Sequence, residues 1–286
     1  MVTISRHSLT SEDSPREFME RLSSLAQNTL DRIETSDFER FDVLTFNLAV
    51  AKARCGLDPK VSDFWTWEAW VKAMQLGSAL FSAGVAPQGE SVHFRVGREE
   101  KTLPALGPRD YLTAENWLDA FYLTAICRES DRMRQLASIP MSFLRAEGAD
   151  VEEYLFLWVE ALQSGVHRDS EKMWDSLLAA ARKSAPEGLP EPERTKALEL
   201  FSPLVEMFRY LMERDADGFN SALERALNWH KAYWSENDPA SVDGLVALAP
   251  LALACIAHDA GMDIEVESEY MPQGLLIPEW VGEMDT

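Results

Sequence analysis

Residues 242–271 read VDGLVALAPLALACIAHDAGMDIEVESEYM, and two periodicities meet inside them. Leu245 to Ala257 is an almost unbroken apolar run. Asp263 to Tyr270 alternates: Asp263, Glu265, Glu267 and Glu269 fall on one parity, and Ile264, Val266, Ser268 and Tyr270 on the other. The run predicts a buried helix, and the alternation predicts an extended segment with a row of carboxylates along one side. Pro250 predicts a kink or a break in the helix, because proline has no amide hydrogen to give to a helix interior. The run is shorter than the ~20 residues that span a bilayer, so it reads as the most buried helix of a water-soluble fold.

Working outward, residues 113–234 read as three helix pairs. Thr113-Ala-Glu-Asn-Trp117 opens the first, whose second member starts at Ser130-Asp131. Residues 151–164 and 170–184 form the second pair, and 196–213 and 216–234 the third. Charged turns recur at Asp131, Asp169 and Asp215, at an irregular spacing that fits no repeat consensus. Towards the N-terminus, Ser14-Pro15 starts a helix, a second runs over 38–55, and Asp63 caps a third that carries the stripe Trp67, Trp70, Val71, Met74, Phe81. Gly77 and Ser78 within that stripe predict close approach of a neighbouring helix. Between 85 and 109 two short alternating runs, Ser91–Val96 and Lys101–Leu106, flank a Gly-Arg-Glu-Glu turn and read as a β-hairpin. The acidic segment at 264–270 is a possible third strand for that hairpin. The expected fold is mainly α, an irregular array of α-α hairpins with a small β element. It is a single domain over 1–286, with a flexible lead-in at 1–14, the hairpin insertion at 85–109, and an acidic strand and tail at 263–286. Leu275, Leu276, Ile277, Trp280 and Val281 are expected to pin that tail to the body. The Pro- and Glu-rich stretch 185–194 is expected to be an exposed loop.

The chain of 286 residues carries 27 Lys+Arg against 48 Asp+Glu, a net charge of −21. From Ala232 to Thr286 there is no Lys or Arg, while Glu236, Asp238, Asp243, Asp259, Asp263, Glu265, Glu267, Glu269, Glu279, Glu283 and Asp285 all lie there. Nucleic acid and anionic membrane both demand basic patches and are not expected as partners; a basic protein is. Cys55, Cys127 and Cys255 lie in apolar helical contexts and read as buried free thiols of a reducing compartment. The N-terminus has no apolar signal core, so a cytoplasmic location is expected.

No GxGxxG, P-loop, GxSxG, HExxH or CxxC occurs, so no catalytic residue, cofactor or metal site is indicated. The five histidines lie in unrelated settings. His258 closes the apolar helix, where it complements the dipole. His230 sits among Trp229, Tyr233 and Trp234, a cluster that reads as core before it reads as a site. Alternate strand residues stand ~6.5–7 Å apart, so Asp263, Glu265, Glu267 and Glu269 suit a spread acidic face better than the compact oxygen cage of a calcium site.

Several stretches together are similar to the immunity protein 49 family, helical proteins of bacterial polymorphic-toxin systems. They are Trp67 to Phe81, the Asn116-Trp117 helix start, Gly218-Phe-Asn with Leu227-Asn-Trp-His-Lys-Ala-Tyr-Trp234, Gly244 to Pro250, Ile264 to Tyr270, and Trp280-Val-Gly-Glu283. The chain departs from that pattern at Met271 and Leu275–Pro278, where basic residues are missing. The resemblance implies an antidote that binds a cognate toxin domain, often a nuclease and therefore basic, and blocks it without enzymatic activity. Asp263, Glu265, Glu267 and Glu269 are the candidate partner-binding residues, alone or with acids of 185–194. Two other classes of function remain open to the sequence. One is a helical-repeat adaptor or regulator that takes a peptide or protein in a groove. The other is an acid/base enzyme, which would need carboxylates converging in a cleft.

Overall fold

Ser14 starts the first helix by a reciprocal exchange: its hydroxyl accepts the Glu17 amide, and the Glu17 carboxylate accepts the Ser14 amide. The computed structural model describes residues 2–8, 14–146 and 151–284. In chain order it contains β1 (Val2–Ile4), α1 (Pro15–Arg32), α2 (Asp37–Leu57), α3 (Phe64–Val85), β2 (Ser91–Val96), β3 (Glu99–Pro104), α4 (Ala114–Ile126), α5 (Ser130–Ala137) and the short α6 (Met141–Leu144). There follow α7 (Glu153–His167), α8 (Ser170–Lys183), α9 (Glu193–Lys196), α10 (Ser202–Glu213), α11 (Ala216–Asn237), α12 (Leu248–Asp259), β4 (Val266–Ser268) and α13 (Gln273–Leu276). The fold is mainly α with a small β element, as the periodicity predicts.

The helices pair in sequence: α1 with α2, α4 with α5, α7 with α8, α10 with α11. α3 runs through the middle and packs on α2, α4 and β2. Its residues are buried on nearly every side, Trp67, Trp70, Met74 and Phe81 among them. The expectation that the 242–259 helix is the most buried is therefore corrected, because α3 is buried over more of its length. Gly77 does permit close approach: a Cβ there would stand 2.9 Å from the Ala120 Cβ of α4. On α2, Leu44, Leu48 and Ala51 are buried, whereas Phe41, one turn earlier, is exposed.

Three of the interhelical corners share one device. Arg128, Arg168 and Arg214 all have left-handed backbones, with φ of 60°, 61° and 58°. In each, the next residue donates its amide back to the preceding helix: Glu129 to Thr124, Asp169 to Ser164, Asp215 to Tyr210. This is the Schellman closure, here built on arginine instead of glycine. Asp169 and Asp215 then cap the following helices by accepting the Lys172 and Gly218 amides. The first corner is set by Arg128-Glu129, ahead of the Asp131 read from the sequence.

The segment 242–259 has mean hydropathy 1.5, the composition of a membrane span, but 61% of it is buried within the fold. It is also broken. Val242–Leu245 is a 3-10 turn, Val246 is extended, and α12 begins at Leu248. Pro250 thus sits in the first turn of α12, where its missing amide costs nothing. α12 packs on α4, α10, α11 and α13. The tail is held by fewer residues than expected. Leu275 is buried and the Trp280 indole donates to the Val61 carbonyl at 2.8 Å, whereas Ile277 and Val281 are exposed.

Candidate partner-binding face

The acidic segment does not join the hairpin. β2 pairs with β3 alone, around the two residues Gly97 and Arg98. β4 pairs instead, in parallel, with β1, in the register Val2↔Val266, Thr3↔Glu267, Ile4↔Ser268. Residues 2–8 are therefore held to the body, against the flexible lead-in expected over 1–14, and Ser14 caps α1; Met1 and 9–13 of that stretch lie outside the described residues. Regular strand covers only Val266–Ser268, yet the alternation of exposure runs the whole length. Asp263, Glu265, Glu267 and Glu269 are exposed, Ile264 and Ser268 are half-buried, and Val266 and Tyr270 are buried.

Three sets of contacts hold the segment straight. Val2 donates its amide to the Glu265 carbonyl at 3.0 Å, and the Ser268 hydroxyl donates to the Ile4 carbonyl at 2.8 Å. Before the strand, the Asn220 side chain of α11 stands in for a neighbouring backbone: it donates to the Asp263 carbonyl at 2.8 Å and accepts the Glu265 amide at 2.7 Å. After the strand, Tyr270 turns inward. Its hydroxyl accepts the His7 amide at 2.8 Å and lies 2.8 Å from His7 Nδ1, while the His230 ring meets its ring edge-on at 4.8 Å. Burial raises the Tyr270 pKa and lowers that of His7, and it drives His230 down to about 3. His230 is a neutral core imidazole whose Nε2 is 3.2 Å from the Gly244 carbonyl, not a base at a reactive site.

One carboxylate of the row is already engaged. The Arg6 amide donates to Glu269 Oε2 at 3.1 Å, and its guanidinium reaches the Glu269 carbonyl and, at 3.1 Å, the Cys55 carbonyl. Among the described residues, the carboxylates of Asp263, Glu265 and Glu267 take part in no hydrogen bond or ion pair. Beside the row runs a groove of ≈ 840 Å³. Ile4, Leu57, Val266, Met271 and Leu276 give it apolar walls, and Glu267 and Glu269 line it together with Asp58 and Lys60. No residue of 185–194 contributes to the groove, and Leu189 within that loop is buried. An apolar trough beside exposed carboxylates offers both hydrophobic area and a charge of fixed sign to a protein surface.

Burial pushes the Cys55 and Cys255 thiols up to about 12 and raises Cys127 as well, which removes the thiolate a nucleophile requires. Among the described residues no group of three or more His, Cys, Asp or Glu is placed to hold a metal ion. Sequence reasoning found the row but missed its support. The signal was weak: three residues, Val2-Thr3-Ile4, followed by Arg6 and His7. A family model described as immunity protein 49 matches residues 58–275, a span that contains the acidic row and leaves out β1. No curated protein and no solved structure matches the chain.

Proposed function

The chain belongs to the immunity protein 49 family, and from that membership we propose that it binds a cognate bacterial toxin in the cytoplasm and neutralises it by non-covalent inhibition. The toxin domain is basic, of the nuclease type. An enzyme that grips a phosphate backbone presents cationic surface, and a row of carboxylates competes for the same surface while steering the encounter. The observation that carries this reading is the joint exposure of Asp263, Glu265, Glu267 and Glu269 beside the apolar groove. Inhibition of this kind needs occlusion only and asks no chemistry of the antidote.

The test is binding to the product of the neighbouring toxin gene, measured with the wild-type chain and with Glu265→Lys, Glu267→Lys and Glu269→Lys combined. The wild-type chain captures the toxin domain. The triple variant binds at least about a hundredfold more weakly, the scale of several lost or reversed charge contacts. If affinity and its salt dependence are unchanged in the variant, the row is not the contact face. If the wild-type chain fails to bind that product at all, the immunity reading itself falls.

A further inference from the structure

A second cavity, of ≈ 440 Å³, opens between α2, α4, α10, α11 and the turn that precedes α12. It is separate from the acidic row, and its lining differs in kind. Glu115 and Asp119 come from α4, spaced so that both carboxylates fall on one face of the helix. Tyr233 and Trp234 come from α11, their rings 5.2 Å apart and nearly perpendicular. Aliphatic surface from Leu200, Leu204 and Pro250 completes the walls.

Two lysines also line the cavity, but each is already committed. Lys52 Nζ lies 2.6 Å from Asp243 Oδ1, and Lys196 Nζ lies 3.0 Å from Glu193 Oε1. Glu115 and Asp119 take part in no hydrogen bond or ion pair among the described residues. Asp119 feels this most: burial pushes it up to about 6, Asp243 and Glu115 push the same way, and Lys52 opposes them. A half-buried carboxylate without a hydrogen bond or ion pair gains more from an incoming cation than a fully exposed one does. With no cluster of three or more His, Cys, Asp or Glu placed to hold a metal among the described residues, and with aromatic walls, the cavity suits a flat organic cation over a metal ion. Guanidinium has the required features: a rigid donor fork for two carboxylates and a face that stacks on aromatic rings.

We infer that this cleft is a receptor for an alkylguanidinium group, the head of an arginine side chain, held between the carboxylates of Glu115 and Asp119 and the rings of Tyr233 and Trp234. The inference stands apart from the immunity reading and involves none of the residues of the acidic row. It is tested on the full chain with agmatine as probe. The reporter is the Trp234 indole N–H resonance, a buried donor with no hydrogen-bond partner in the fold, assigned through Trp234→Phe. Agmatine shifts this resonance saturably in the millimolar range. Asp119→Asn weakens the binding about tenfold, as loss of one charge-assisted hydrogen bond does. The exposed Glu115→Gln weakens it as well, and N-butylurea, a neutral analogue of the alkylguanidinium head, leaves the spectrum unchanged. A second arm uses the blocked tripeptide acetyl-Gly-Arg-Gly-amide. Binding equal to that of agmatine supports the cleft as a receptor for an arginine borne by a protein, and binding of agmatine alone supports a free guanidine. Absence of a saturable shift with either probe overturns the inference, as does equal affinity in wild type and both carboxylate variants.

Discussion

His230 is buried and Asp119 half-buried, and their titrations pull stability in opposite directions. His230 falls from 6.5 to about 3 in the fold, so between those values the unfolded chain holds a proton that the folded chain refuses. Its contribution is complete above pH 6.5 and declines as pH falls, by about 1.4 kcal/mol per unit. Asp119 rises from 3.8 to about 6, so between those values the folded chain holds the extra proton, and stability grows as pH falls. From pH 6 to about 4 the two effects offset each other. Asp119→Asn removes only the second. The variant is therefore expected to lose stability relative to wild type by about 1.4 kcal/mol per unit between pH 6 and 4, while the two profiles run parallel above pH 7. Urea denaturation at a series of pH values measures the difference, and profiles that stay parallel down to pH 4 contradict it.

The left-handed arginine corners set the path of the helix pairs, and their three arginines are not equivalent. Arg168 is exposed at φ 61°, a backbone glycine adopts without cost. Arg168→Gly is expected to raise stability by about 0.5–1 kcal/mol. Arg128 has the same backbone, but its guanidinium donates to the Leu275 and Leu276 carbonyls of α13 and to Asp259 of α12. Arg128→Gly relieves the same strain and orphans those carbonyls, so it is expected to cost about 2 kcal/mol or more. Thermal melts of the two variants should move in opposite directions. These corners also mark how far the sequence could be read. The helices were legible because Trp67, Trp70 and Met74, or Leu204, Met207 and Leu211, repeat with the helical period. The caps Ser14 and Asp63 and the helix start at Thr113 were legible because a short side-chain oxygen before an apolar run has one common use, while Asp169 and Asp215 read only as turns and cap the next helices in the fold. Arginine, by contrast, carries no signal for a left-handed corner. The pairing of β4 with β1 was hidden too, since a three-residue strand has almost no pattern, and the nearer hairpin was the more visible partner. The parity of Asp263 to Tyr270 was fully legible. The cleft at Asp119 was not, because a carboxylate in a helix looks the same whether it faces water or a cavity.

For the whole molecule the dominant quantity is charge. With −21 spread over 286 residues, and no Lys or Arg from Ala232 onward, the proposed function makes association with a basic toxin domain a process driven by long-range attraction. The association rate is expected to fall more than about tenfold between low salt and 0.5 M salt, while dissociation changes little. Stopped-flow mixing with the toxin domain measures both, and a salt-independent association rate excludes steering. One feature of the fold also sets when this face comes into being. Ile4 and Ser268, joined across β1 and β4, are 264 residues apart in the chain. At a ribosomal pace of about 10 residues per second, the first strand waits roughly half a minute for its partner to be made. The helix pairs are local and can form as they are synthesised, but the carboxylate row is straightened only after the C-terminal segment has left the ribosome. Nascent chains therefore carry the helix pairs before the face is finished.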